Sequence, residues 1–115
     1  MTETMMESII TELVVTGGDA RAKALEAVKA ARTNDMAHAE KLMKECNEAL
    51  TQAHNFQTSF IQEALNNDNE KGVPGGLLMV HGQDHLMDAM VVRDLAREMI
   101  EMYRVIYALQ KRKGD

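Results

Sequence analysis

His81, Asp84, His85 and Asp88 fall at i, i+3, i+4 and i+7, the spacing that puts four side chains on one face of a helix. Gln83 lies among them but points about 100° away from Asp84 on such a helix. Two imidazoles and two carboxylates on one face can do several kinds of chemistry. A neutral imidazole nitrogen is a good nucleophile when a neighbour keeps the other ring nitrogen protonated, and Asp84, His85 or Gln57 could be that neighbour. Imidazole and carboxylate together also suit a metal ion. The positive end of a helix favours an anion such as phosphate, and Gly75-Gly76 and Gly82 let a partner approach the backbone. A phosphorylated histidine is one such anion. Spacing alone leaves nucleophile and metal ligand equally open.

The residues around this cluster are apolar in nearly every direction: Leu77, Leu78, Met79, Val80, Leu86, Met87, Ala89, Met90, Val91 and Val92. A helix that is apolar all round is buried all round. In a small helical monomer each helix keeps one face in water, so this window is expected at an interface between identical subunits. Unpaired imidazole or carboxylate there would cost several kcal/mol, so the cluster must be paired, metal-bound or at a cleft edge. The same i+7 stripe continues as Val92, Leu95, Met99, Met102, Ile106 and Leu109.

The elements that position these residues read as all-α. Ten Met, two Phe, two Tyr and one Pro leave Leu, Ile, Val, Ala and Met to build the core, and apolar residues recur at three and four rather than at two. The spacing predicts a first helix over about Thr4–Arg32, with Ile9, Leu13, Ala20, Ala24 and Val28 on its buried stripe. Gly17-Gly18 interrupts that helix and marks a kink, a break, or a close approach of another backbone. Thr33-Asn34-Asp35 is a capping turn. A second helix follows over about Met36–Asn66, with Ala39, Leu42, Met43, Cys46, Leu50, Ala53, Gln57, Phe60, Ile61 and Ala64 on its seam. A loop from Asn66 to Gly76 leads to a third helix over about Leu77–Arg112. Helices of this length, about 45 Å each at 1.5 Å per residue, are joined by short turns into an antiparallel bundle.

With 115 residues the chain makes one domain, 1–115. A net charge of −5 repels nucleic acid and anionic membranes, and no run of about eighteen apolar residues could cross a bilayer. The acidic start, Met1 to Glu7, lacks the positive charge of a signal peptide. Cys46 is the only cysteine, which excludes an internal disulfide or a cysteine-based zinc site and suits a reducing cytoplasm. Cys46 reads as an inert core thiol, the methionines as packing, and His38 and His54 as solvated or satisfied. Asp19-Ala20-Arg21 and Lys111-Arg112-Lys113 read as solvated charge.

The run Leu78-Met79-Val80-His81-Gly82-Gln83-Asp84-His85-Leu86-Met87 closely resembles the lactose/cellobiose-type IIA component of the bacterial sugar phosphotransferase system. Gly18-Asp19-Ala20-Arg21 and Ala53-His54-Asn55-Phe56-Gln57-Thr58 extend the resemblance, which spans about Gly17 to Tyr103. It implies a cytoplasmic homotrimer of three-helix subunits, nine helices in all, that accepts a phosphoryl group from the phosphocarrier protein HPr and passes it to a cysteine of a IIB component during uptake of a β-linked disaccharide. Such a relay is a phosphotransferase component with no small-molecule substrate of its own. His81 would be the phosphoryl acceptor, and His85 and Gln57 supporting residues. Asp84, gathered from three subunits on the trimer axis, would hold one Mg²⁺. Three carboxylates at that range repel and demand a cation. Asp88 departs from the family pattern, which has an uncharged polar residue there, as does Gly75-Gly76. Two other readings compete: a metal-dependent enzyme using His81, Asp84, His85 and Asp88 as ligands, and a structural helical adaptor.

Overall fold

The computed structural model describes residues 3–66 and 76–114, with side-chain surroundings for Met5, 7–62 and 79–113. Three helices make up the described residues: α1 (Glu3–Arg32), α2 (Met36–Asn66) and α3 (Gly76–Gly114). The predicted 66–76 loop falls almost wholly outside the described residues, as does the side chain of Ala64.

α1 runs without a break through Gly17-Gly18, which answers the question the two glycines pose. A Cβ on Gly17 would lie 3.2 Å from the carbonyl oxygen of His85, whereas one on Gly18 would meet nothing within 4 Å. Gly17 is therefore a contact point between two helix backbones, and Gly18 faces open space. α1 ends with Asn34 in the left-handed region, φ 64°, where a short polar side chain is tolerated. The N–H of Asp35 donates to Ala30 O (2.9 Å) and that of Asn34 to Ala31 O (2.9 Å), the paired closure of a Schellman motif. Asp35 then caps α2, accepting from the N–H of His38 at 3.3 Å.

The core is built largely of alanine, which brings helices close. One cluster joins Ile10, Leu13, Ala20, Ala24, Cys46, Leu50, Ala53, Phe60, Leu86 and Ala89, and a second joins Ala27, Ala31, Ala39, Leu42 and Ile100. α1 packs extensively on both partners, while α2 and α3 touch far less. A groove of about 350 Å³ between those two is lined by Glu40, Lys44, Asn47, Arg97 and Arg104. Arg93 Nη1 crosses it to Asn47 Oδ1 at 3.1 Å, and Arg104 pairs with Glu40. At the far end the Tyr107 hydroxyl donates to the carbonyl of Arg32, tying α3 to the last turn of α1. Ile61, expected on the seam of α2, is 45% exposed, while its neighbour Phe60 is buried in the core.

α3 carries two heptad seams. Met79, Gly82, Leu86, Ala89, Ala96 and Ile100 face the chain's own core. On the opposite face Asp84, Asp88, Val91, Leu95, Glu98, Met102, Val105 and Leu109 alternate at spacings of four and three, and all are exposed. Met102 at 63% and Val105 at 58% are the most open of them among the large apolar side chains. The exposed seam is thus turned by about 50° from the predicted stripe: Leu95, Met102 and Leu109 lie on both, Val92 is half-buried, and the exposed Met99 and Ile106 flank a small hollow with Val28 and Tyr103 at its edge. The molecule is a rod of 69 × 19 × 17 Å.

Candidate functional site

α3 supplies every ionisable residue of the predicted cluster, because the run from Met79 to Ala89 is helical and its spacing holds. In the chain by itself His81, Asp84 and Asp88 are exposed and His85 is half-buried. Within one subunit the window is buried on one side only: Met79, Gly82, Leu86 and Ala89 are buried, but Val80, Met87 and Val91 are each more than half exposed. α1 and, to a smaller extent, α2 pack on one side of α3 and leave its opposite face uncovered.

The His81 and His85 rings meet edge to face, with centroids 4.6 Å apart and planes at 77°. That contact aligns the two imidazoles along the helix and leaves the outer side of His81 open. Beneath them Gly82 lets α1 dock: a Cβ there would be 3.4 Å from Ile10 Cγ2 and 3.5 Å from Leu13 Cδ1. His81 is the sixth residue of α3, so its backbone N–H already belongs to the helical ladder. The free N–H groups of the first turn therefore belong to the turn before it, the side toward which a helical side chain leans.

Gln57 does not reach His81. Its side-chain amide donates to Gln83 Oε1, and Gln83 in turn points its amide toward Met79 Sδ at 4.0 Å. The pair links α2 to α3 on the side of the helix away from the histidines, since Gln83 is two residues, about 200° of rotation, from His81. His54 is exposed on α2, in keeping with its solvated reading.

Beside His85 a groove of about 450 Å³ opens between α1 and α3, lined by Gly17, Gly18, Arg21, His85, Asp88, Val91 and Val92. Arg21, read from the sequence as solvated charge, lines it and forms no ion pair among the described residues, whereas its neighbour Asp19 approaches Lys23 at 3.7 Å. Lys23 also meets Glu45 at 3.3 Å, and that hydrogen bond raises its pKa above the ordinary lysine value. The place of Arg21 in the Gly18-Asp19-Ala20-Arg21 element is the one sequence signal that sets it apart from other surface charges. Among the described residues no three His, Cys, Asp or Glu side chains converge to hold a metal ion within one chain. No described helix is long and apolar enough to cross a membrane.

Fold and face together define an all-helical protein whose described residues present a histidine pair alternating with two carboxylates near the start of its last helix. The family model for the PTS system lactose/cellobiose specific IIA subunit matches residues 8–104. The lichenan-specific phosphotransferase enzyme IIA component of Bacillus subtilis is 43% identical over 101 residues, covering 88% of this chain and 89% of its own. The lactose-specific EIIA component of Staphylococcus epidermidis is 42% identical over 94 residues, 81% of this chain and 86% of its own. Among solved structures, the cellobiose-specific enzyme IIA from Bacillus anthracis superposes with a TM-score of 0.82 at 37% identity, covering 94% of each chain. The IIA(chitobiose) of Escherichia coli, solved in complex with HPr, superposes with a TM-score of 0.76 at 33% identity, covering 88% of this chain and 95% of its own. The chain belongs to the lactose/cellobiose-specific IIA family and is a phosphotransferase component of that system.

Proposed function

We propose that this chain is a phosphoryl carrier: His81 accepts a phosphoryl group from HPr and passes it to a cysteine of a IIB component, in the cytoplasm, during uptake of a β-linked disaccharide. The observation that carries the assignment of His81 is its exposure beside His85, rings 4.6 Å apart, on the helix that bears the family's motif. The E. coli relative solved with HPr supports that donor. Phosphoryl transfer needs little covalent help, chiefly in-line positioning and stabilisation of the equatorial oxygens. A lone pair on His81 attacks phosphorus as the bond from phosphorus to the donor breaks and the donor keeps its electron pair. The other His81 nitrogen holds its proton throughout. His85 orients the acceptor ring and lies within reach of the transferred oxygens. On delivery the same steps run toward the IIB thiolate.

The exposed heptad seam of α3 supports a homotrimer, nine helices around three parallel copies of α3, since a long apolar a/d stripe in water is unstable alone. Asp84 stands on that seam, one exposed carboxylate per chain. Three copies on an axis fit a single Mg²⁺, which would neutralise their charge there. The sugar binds elsewhere in the transport system.

His81→Ala is expected to abolish labelling by radioactive phospho-HPr, while His85→Ala slows it by about tenfold to a hundredfold. Undiminished labelling of the His81 variant would refute the assignment. The metal-enzyme reading predicts tight metal binding by a monomer and no acid-labile phosphate. An adaptor would keep its function with alanine at both histidines.

A further inference from the structure

We propose that the groove between α1 and α3 beside His85 receives the oxygens of the travelling phosphoryl group, and that Arg21 is their counter-cation. This role rests on the relay function proposed above.

The electrostatics of the face demand such a group. A phosphoryl group on imidazole brings close to two negative charges at neutral pH into a face that already holds Asp84 and Asp88. Among the residues lining the groove Arg21 is the one permanent cation. It has no ion-pair partner among the described residues, although Asp88 lines the same space. An arginine fork unengaged by carboxylate keeps its donors for another planar set of oxygens.

The helix crossing places it beside His85. Gly17 lets α1 come into backbone contact with His85, its missing Cβ 3.2 Å from that carbonyl oxygen; α1 and α3 run parallel, so Arg21, one turn later, lines the groove level with Asp88 and Val92, and its long side chain is what spans the turn back toward the histidines. His85 lines the groove and touches the His81 ring, so the groove begins one ring away from the acceptor. During transfer the phosphorus–donor bond breaks and the phosphorus–nitrogen bond to His81 forms. Arg21 stays protonated and exchanges no proton. It offsets the charge on the oxygens that swing toward the groove.

The experiment compares wild type, Arg21→Gln and Arg21→Lys in two reactions. One uses phospho-HPr; the other uses phosphoramidate, which phosphorylates imidazole without a protein partner. Arg21→Gln is expected to slow labelling by about tenfold to a hundredfold with both reagents, and Arg21→Lys to recover most of that loss. In ³¹P NMR the phosphoryl group of labelled Arg21→Gln should take up its last proton at higher pH than in wild type, because the dianion has lost its cation. Labelling at wild-type rates with an unmoved ³¹P titration overturns the role of Arg21. So does a loss that Arg21→Lys fails to rescue while the titration stays put, which marks a structural defect. Wild-type labelling by phosphoramidate but never by phospho-HPr would instead sink the relay function, and the phosphoramidate comparison would still decide Arg21.

Discussion

Among the three exposed histidines, His81 differs from His38 and His54 in its neighbour, not in its burial: it alone of the three has a second imidazole, that of the half-buried His85, set edge-on against it at 4.6 Å. That partner restricts the ring's rotation, and a nucleophile held in one orientation reacts faster than one that samples many. Cys46 shows the opposite use of a reactive side chain. It is fully buried between α1 and α2, and that burial, ahead of the opposing influence of Arg93, pushes its thiol above the ordinary value. Because the folded state holds the proton more tightly than the unfolded one, the linked contribution to stability is present below the ordinary thiol pKa. It is lost as pH climbs through that value toward the folded one. Iodoacetamide at pH 8 should therefore modify Cys46 at least about a hundredfold more slowly in the native protein than in denaturant. Mass spectrometry of timed samples checks this.

Adjacent glycines on α1 have opposite meanings once α3 is in place. Gly18 faces open space, so Gly18→Ala removes the helix penalty without a clash and should stabilise the protein by about 0.5–1 kcal/mol. Gly17 has the His85 backbone 3.2 Å from where its Cβ would be. Gly17→Ala gains the same propensity but forces two backbones apart by a few tenths of an ångström. Its expected net effect is a loss of about 1 kcal/mol together with slower phosphorylation of His81, as the α1–α3 crossing beside the histidines shifts. Urea unfolding and phospho-HPr labelling of the two variants, side by side, test both statements. Equal effects would show that the close approach is not what selects glycine at position 17.

Taken as a whole, one chain is too thin to cover itself. Its radius of gyration is 18.4 Å, against about 13 Å for a compact chain of this length. The excess comes from long helices that bury one face of α3 and leave Val91, Leu95, Met102, Val105 and Leu109 in water, each more than half exposed. In the proposed trimer these residues meet around an axis. Wild type should run at about three times 12.9 kDa in light scattering, and Leu95→Glu with Met102→Glu at the single-chain mass. The carboxylates at the other end of the seam set a second expectation. Removing divalent ions should lower the melting midpoint of wild type by about 5 °C but leave Asp84→Asn unmoved. Asp88→Thr should raise the metal-free midpoint, since it takes one ring of negative charge off the axis.

Sequence alone determined the helices and the chemistry on them. Periodicity placed α2 on Met36–Asn66 and brought the ends of α1 and α3 within a few residues, because a period near 3.6 is a local property of the chain. The spacing of His81, Asp84, His85 and Asp88 put them on one face for the same reason, and their motif named the family. What lies across a helix boundary was not legible, since it depends on how two surfaces meet. Only the packed structure decided that Gly17 rather than Gly18 is the contact, that Gln57 holds Gln83 instead of His81, and that Arg21 lines the groove beside His85. It also turned the exposed seam about its helix: Leu95, Met102 and Leu109 stay on it, while Val91, Glu98 and Val105 take the places expected for Val92, Met99 and Ile106. That shift amounts to about 50° of helix rotation, and no periodicity within a single helix records which way its neighbour turns it.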